Sequence, residues 1–195
     1  MIKYFVFILI PLFSIIHVKR VYSQDETDKT AEYLSWVLLQ AIPSPVFFQD
    51  ADDNNARIQF GFRWQVTPLN ISFNSNRYIS PVQFFKINPV RRFTGSFELF
   101  IQPELALSNP KYSNLRKFSL AGGGRIIFPL SGEGQNLAAS AGTKYVLHKD
   151  FFGSDKSYWG IETGIYAIYG LLGLQFNYNF SKQTRYNIGI YFKFF

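Results

Sequence analysis

The clearest signal in the chain is alternation. From Arg185 to Phe195 the sequence reads RYNIGIYFKFF. Tyr186, Ile188, Ile190, Phe192 and Phe194 fall on one row. Arg185, Asn187, Gly189, Tyr191 and Lys193 fall on the other, with Phe195 closing the stretch. A period of two is that of a β-strand with one apolar and one polar face. The same pattern recurs upstream. Ile58, Phe60, Phe62, Trp64 and Val66 oppose Arg57, Gln59, Gly61, Arg63 and Gln65. Phe93, Phe97, Leu99, Ile101 and Leu105 oppose Thr94, Ser96, Glu98, Gln102 and Glu104. Leu137 to His148 and Tyr158 to Ala167 alternate too, and the parity flips before Leu172 to Phe180, so a turn must fit into Ile168–Leu171.

Polar breaks separate these segments. QDADDNN (residues 49–55), the loop from Leu107 to Asn114, KDFFGSDKS (149–157) and SKQT (181–184) fall on one rim. The turn at 168–171, SGEGQN (131–136) and an irregular connection from Pro68 to Arg92 fall on the other. A first strand is expected within Leu34–Phe48, bent at Pro43 and Pro45, and a long one from Leu115 to Leu130 with a bend or bulge at Gly122–Gly124. The count is eight, with both ends of the barrel on one rim. Two further strands within residues 68–92 would give ten. Segments of roughly 10–14 residues exceed the ~5–6 usual in soluble sheets and suit a tilted membrane crossing. The expected fold is all-β: an antiparallel up-and-down transmembrane β-barrel.

Alternation alone does not say which row faces out, since a lipocalin-like barrel would turn its apolar row inward around a ligand. The bulk of the apolar rows argues for lipid, because an eight-stranded interior is only wide enough to be filled by side chains. The opposite rows carry charges of both signs: Arg57, Arg63, Arg125, Lys144 and Arg185 with Glu98, Glu104 and Glu162. Charges buried in a lumen are tolerated when paired and hydrogen-bonded. These eight residues are the candidate lumen network, and a polar plug is expected where a pore would otherwise run.

Composition sharpens this picture. Of 195 residues 47% are apolar and 19% aromatic, yet the mean hydropathy is near zero, as interleaving produces in membrane barrels. Only Met1–Ile16 approaches a continuous apolar run. Lys3 followed by an apolar stretch too short to span ~30 Å reads as a secretory signal peptide over residues 1–23, with cleavage expected after Ser23. Residues 24–33 form a polar linker, and residues 34–195 the barrel domain. The formal charge of +7 includes Lys3, Lys19 and Arg20 of the leader, so the mature chain is only modestly basic. No basic helix or basic patch with stacking aromatics indicates nucleic-acid binding. The absence of cysteine removes disulfides and thiolate chemistry.

With its leader, its alternating segments from Ala56 onward and its terminal YNIGIYFKFF, the chain resembles small outer-membrane β-barrel proteins of Bacteroidota-type bacteria. It departs from their usual closing pattern: Lys193, Gly189 and Asn187 occupy the row that ends at the last residue, and the apolar row ends one position earlier. The resemblance implies a place in the outer membrane, with lipid, lipopolysaccharide and the barrel-assembly machinery as partners, and no specific activity.

Among possible sites, His148 is the one histidine after the leader. Some lipid A deacylases are small barrels using Ser, His and an acidic residue, which makes His148 a weak catalytic candidate. Ser140, on the same row, lies eight residues away, about 26 Å of strand at ~3.3 Å per residue. Gly122–Gly124 lacks the Lys-Ser/Thr and helix of a phosphate cradle. No metal-ligand cluster or cofactor motif is expected. The leading expectation is a non-enzymatic outer-membrane barrel with a structural, adhesion or assembly role and a plugged polar lumen. The alternatives are a lipid A-modifying hydrolase and a narrow pore for small solutes.

Overall fold

A computed structural model describes residues 34, 41–52, 55–74, 80–84, 87–107 and 113–192. The expected leader, the whole of the linker and the last three residues lie outside these. The described chain is almost entirely antiparallel sheet: β1 (Ser44–Asp52), β2 (Asn55–Arg63), β3 (Val66–Ser72), β4 (Val82–Phe84), β5 (Ser96–Ala106), β6 (Phe118–Ser131), β7 (Leu137–Leu147), β8 (Tyr158–Ala167), β9 (Leu172–Asn179) and β10 (Tyr186–Phe192). One short helix, α1 (Pro89–Phe93), precedes β5.

Eight strands close a barrel. β1 pairs with β2 and, across the closure, with β10; β2 meets β5; and β5 to β10 follow in order. The ends of the barrel are stitched where Ser44 Oγ accepts a hydrogen bond from the Phe192 N–H at 3.1 Å. β3 and β4 are the two extra strands, added without widening the ring. β3 continues the path of β2 along the same neighbour: Arg63 pairs with Glu104 of β5, and Ser72 with Ser96. The register shifts between Val66 and Leu69. That bulge moves the outward row from Val66 and the even positions before it to Leu69 and Ile71, because one extra residue turns every following side chain to the other face. β4 then folds back against β3.

The segment 68–92 is therefore not a simple rim connection. It carries the second half of a long barrel strand, a short hairpin partner and α1. Asn88 caps α1, its Oδ1 accepting from the Val90 N–H at 3.0 Å. Phe93, expected on the outer row of a strand, is instead the last residue of this helix and is buried.

β1 also departs from expectation. Leu34 is helical, the strand starts at Ser44 and runs through the expected turn to Asp52. Its row of Val46, Phe48 and Asp50 is buried in the lumen, while Phe47 faces out. The register explains this: Val46 sits opposite Gly189 and Gly61, and a Cβ on Gly61 would come within 2.7 Å of the Phe48 ring. Glycines on both neighbours leave the room that two apolar side chains fill.

Elsewhere the faces are as the rows predict. Ile58, Leu99, Ile101, Leu147, Trp159, Ile165, Leu174, Phe176, Ile188 and Ile190 are exposed, Ile58 by 80%. Glu98, Gln102, Lys144, Glu162, Asn177 and Asn187 are 0% exposed. The molecule is inverted relative to a water-soluble domain: its ionic groups form the core, and its large apolar side chains form the outer wall.

The 168–171 turn closes β8 onto β9 with Ile168 and Tyr169 both at positive φ, 53° and 55°. Such backbone costs a non-glycine residue ~1–2 kcal/mol. It is held from outside: the Tyr169 N–H donates to the Gln135 carbonyl at 2.7 Å, and Gly170 lies flat against the Phe93 ring.

Candidate functional site

The lumen is where chemistry-bearing residues converge. Each strand contributes its inward row, and the shear of the barrel brings residues far apart in sequence into one layer. Six of the eight expected network residues are there. Glu98 binds two guanidinium groups: Arg125 Nε donates to its Oε2 at 2.8 Å, and Arg92 grips it through Nε and Nη2. Arg125 Nη1 reaches Glu162 Oε1 at 2.9 Å. Gln102 carries the chain onward, donating to Glu162 Oε2 at 2.8 Å and accepting from Lys144 Nζ at 3.5 Å. Lys144 and Arg63 then share Glu104 Oε1, at 3.4 and 2.7 Å.

Arg92 is the member that the sequence rows do not show. It comes from α1, outside any alternating segment, and enters the lumen from the rim. Its Nη1 donates to the Tyr191 hydroxyl at 2.9 Å, and its guanidinium lies 4.9 Å from the Phe93 ring centre. Tyr166 stands between the two aromatic partners, 5.4 Å from Phe93 and 5.2 Å from Tyr191. Its hydroxyl accepts from Arg125 Nη1 and Gln175 Nε2, both at 3.1 Å. With Ile127 and Ala138 these rings make an apolar stopper at the end that α1 covers. Rings and ion pairs are thus buried together inside the ring of strands.

Two expected members are not in the network. Arg57 and Arg185 lie on lumen-facing rows but at strand ends, and both are exposed. A strand keeps its parity beyond the point where the ring encloses it, so row membership alone does not measure depth.

His148 is buried at the end of β7. Its Nε2 meets the Arg116 carbonyl oxygen at 2.8 Å, so that nitrogen carries the proton and donates. Ser157 is near, but its Oγ accepts from the His148 backbone N–H at 3.3 Å and itself donates to Asp155. Ser140 Oγ lies 3.0 Å from the Tyr166 hydroxyl, deep in the lumen. Neither serine meets the imidazole, so the described residues do not assemble a Ser-His-acid relay. In the loop, the Ser157 hydroxyl and backbone N–H hold the Asp155 carboxyl below its ordinary value. No group of three or more His, Cys, Asp or Glu among the described residues is placed to hold a metal ion. No protein-family model, curated protein or solved structure matches the chain.

Proposed function

We propose that this protein is an integral outer-membrane β-barrel, exported by its N-terminal leader, with a structural, adhesion or assembly role and a plugged lumen. The observation that carries the reading is the inverted distribution of polarity. A barrel with this many exposed aliphatic and aromatic side chains has no low-energy state in water, since each buried Leu, Ile or Phe is worth ~1.5–3 kcal/mol. In hydrocarbon the same wall is solvated, and the closed ring leaves few backbone groups unpaired.

Two further features support it. Tyr145–Trp159 and Tyr178–Tyr186 are outward ring pairs, 5.1 and 5.6 Å apart, near one end of their strands. Such aromatic bands sit at membrane interfaces. Beyond that band, the same rim exposes Arg57, Arg116, Lys117, Lys149, Lys156, Lys182 and Arg185. Cations at this level suit the phosphates of lipopolysaccharide. The barrel-assembly machinery is the expected partner during insertion.

The pore reading is weakened by the ion pairs and aromatic stopper that fill the axis. The hydrolase reading is weakened because neither Ser140 nor Ser157 meets the His148 imidazole. Membrane fractionation followed by heat-modifiability on a gel tests the proposal. The protein is expected to sediment with outer membranes and to migrate differently before and after boiling. Recovery in the soluble fraction, without a mobility shift, would overturn it.

A further inference from the structure

The ion pairs of the lumen fall into two sets of unequal charge. Arg92, Glu98, Arg125 and Glu162 are two cations and two carboxylates, and balance. Arg63, Glu104 and Lys144 place one carboxylate between two cations, one positive charge in excess among these three. The remaining lumenal carboxylate among the described residues, Asp50, is held by the side-chain amides of Gln59 and Gln183 and forms no ion pair with these three. All three are buried, where an unbalanced charge is costly.

The excess lies beside a cluster of unused donors. Arg63 spends Nε on Glu104 and turns Nη1 toward Gln175 Oε1 at 3.5 Å. Its Nη2 is buried with no partner among the described residues. The guanidinium lies over the wall at Gly189, where an added Cβ would stand 3.5 Å from Nη1. Gly189 and Gln175 are directly opposed on β10 and β9, and the next inward pair along the same two strands is Asn187 and Asn177. Two residues of strand are ~7 Å, so these amides sit one rung above the guanidinium. Both asparagines are fully buried, and neither their amide nitrogens nor their oxygens have a partner. Native interiors rarely leave so many adjacent polar groups unmet.

We propose that the lumen holds a small monovalent anion of halide size, bound by Arg63 Nη2 and the side-chain amides of Asn177 and Asn187. One negative charge balances the Arg63–Glu104–Lys144 set. A dianion such as sulfate would reverse the imbalance. The asparagine oxygens are left to water. The inference goes beyond the outer-membrane reading and applies to the folded barrel in detergent as in a bilayer.

The test is anomalous scattering at the bromine edge from crystals of the folded protein grown with bromide as the only halide. The expected result is a single lumenal peak in contact with Arg63, Asn177 and Asn187. Asn177→Asp supplies a fixed carboxylate of the same shape, and should abolish the peak while preserving heat-modifiability. Chloride, exchanged for gluconate at constant ionic strength, should raise the melting temperature of the unaltered protein and not of this variant. Asn187→Asp gives the same reading if Asn177→Asp does not fold. Water alone at the site in saturating bromide overturns the proposal. So does a bromide peak that persists unchanged in either variant.

Discussion

Glu98→Gln removes one charge and no volume from the centre of the lumen. In the intact protein the Glu98 carboxylate is met by Arg92 and Arg125, and Asn70 Nδ2 donates to it at 3.1 Å. After the change Arg125 keeps Glu162, 2.9 Å away, while Arg92 keeps the Tyr191 hydroxyl and the aromatic faces of Phe93 and Tyr191. A neutral amide oxygen does not balance two guanidinium groups. Breaking a buried pair by removing one partner costs about 3–5 kcal/mol. With a urea slope of about 2 kcal/mol per molar, the unfolding midpoint should fall by about 1.5–2.5 M. The assay is urea unfolding in detergent micelles, followed by tryptophan fluorescence and by gel mobility. A double-mutant cycle with Arg92→Gln isolates the pair: the double variant should be more stable than the sum of the two single losses predicts. A midpoint shift under about 0.5 M for Glu98→Gln, or strict additivity in the cycle, would refute the view that this network holds the lumen closed.

Leu174 faces outward between Ile165 of β8 and Ile190 of β10; Leu174→Arg should cost about 2–4 kcal/mol if hydrocarbon surrounds it, and near zero in a water-soluble barrel. Unfolding measured in phospholipid vesicles distinguishes the two. Gly170→Ala places a methyl group 2.0 Å from ring atoms of Phe93 at a φ of 73°, and should destabilise by about 1–3 kcal/mol with a larger m-value change than Glu98→Gln. Asp155, held below its ordinary value by Ser157, should contribute loop order above the usual carboxylate range and lose it as pH falls through its depressed value. Carboxyl-carbon NMR of Ser157→Ala should show the titration moving upward. His148→Ala should leave lipid A unmodified as before, by mass spectrometry of extracted lipid, while deacylation lost in this variant alone would restore the hydrolase reading.

The rows of the barrel were readable because an apolar outer wall and an ionic lumen are opposite demands placed on successive residues. Glu98, Gln102 and Glu104 alternate with Leu99, Ile101 and Leu105, and no tertiary knowledge is needed to separate them. Legibility ends where a strand leaves the ring. Arg57 and Arg185 obey the lumen parity and are nonetheless at the rim, because parity records face and not height. Arg92 could not be read at all. It belongs to a five-residue helix without periodic neighbours, and only the fold of the 68–95 segment inserts it. β1 is uninformative for another reason: Val46 and Phe48 share the parity of an apolar row, and only their register against Gly61 and Gly189 shows that they fill space within.

The ionic lumen has a consequence for how the chain selects one pairing. Stability alone does not require it, since well-packed apolar residues commonly replace a buried ion network at no loss. An apolar lumen, however, would make both rows of every strand greasy, and a slip of one residue would then exchange like for like. With the present residues, a one-residue slip of β9 against β8 and β10 would turn Gln175, Asn177 and Asn179 outward and drive Leu174, Phe176 and Tyr178 into the space held by Arg125, Tyr166 and Arg63. Arg63 and the Tyr166 hydroxyl would both lose Gln175. Register is strongly specified only where the two faces differ, and here the difference is carried by charge. The pairing of Glu98 with Arg125 across β5 and β6 and of Glu162 with Asn177 across β8 and β9 thus fixes the same alignment that the outer row needs, so that a single set of side chains closes the axis and aligns the wall.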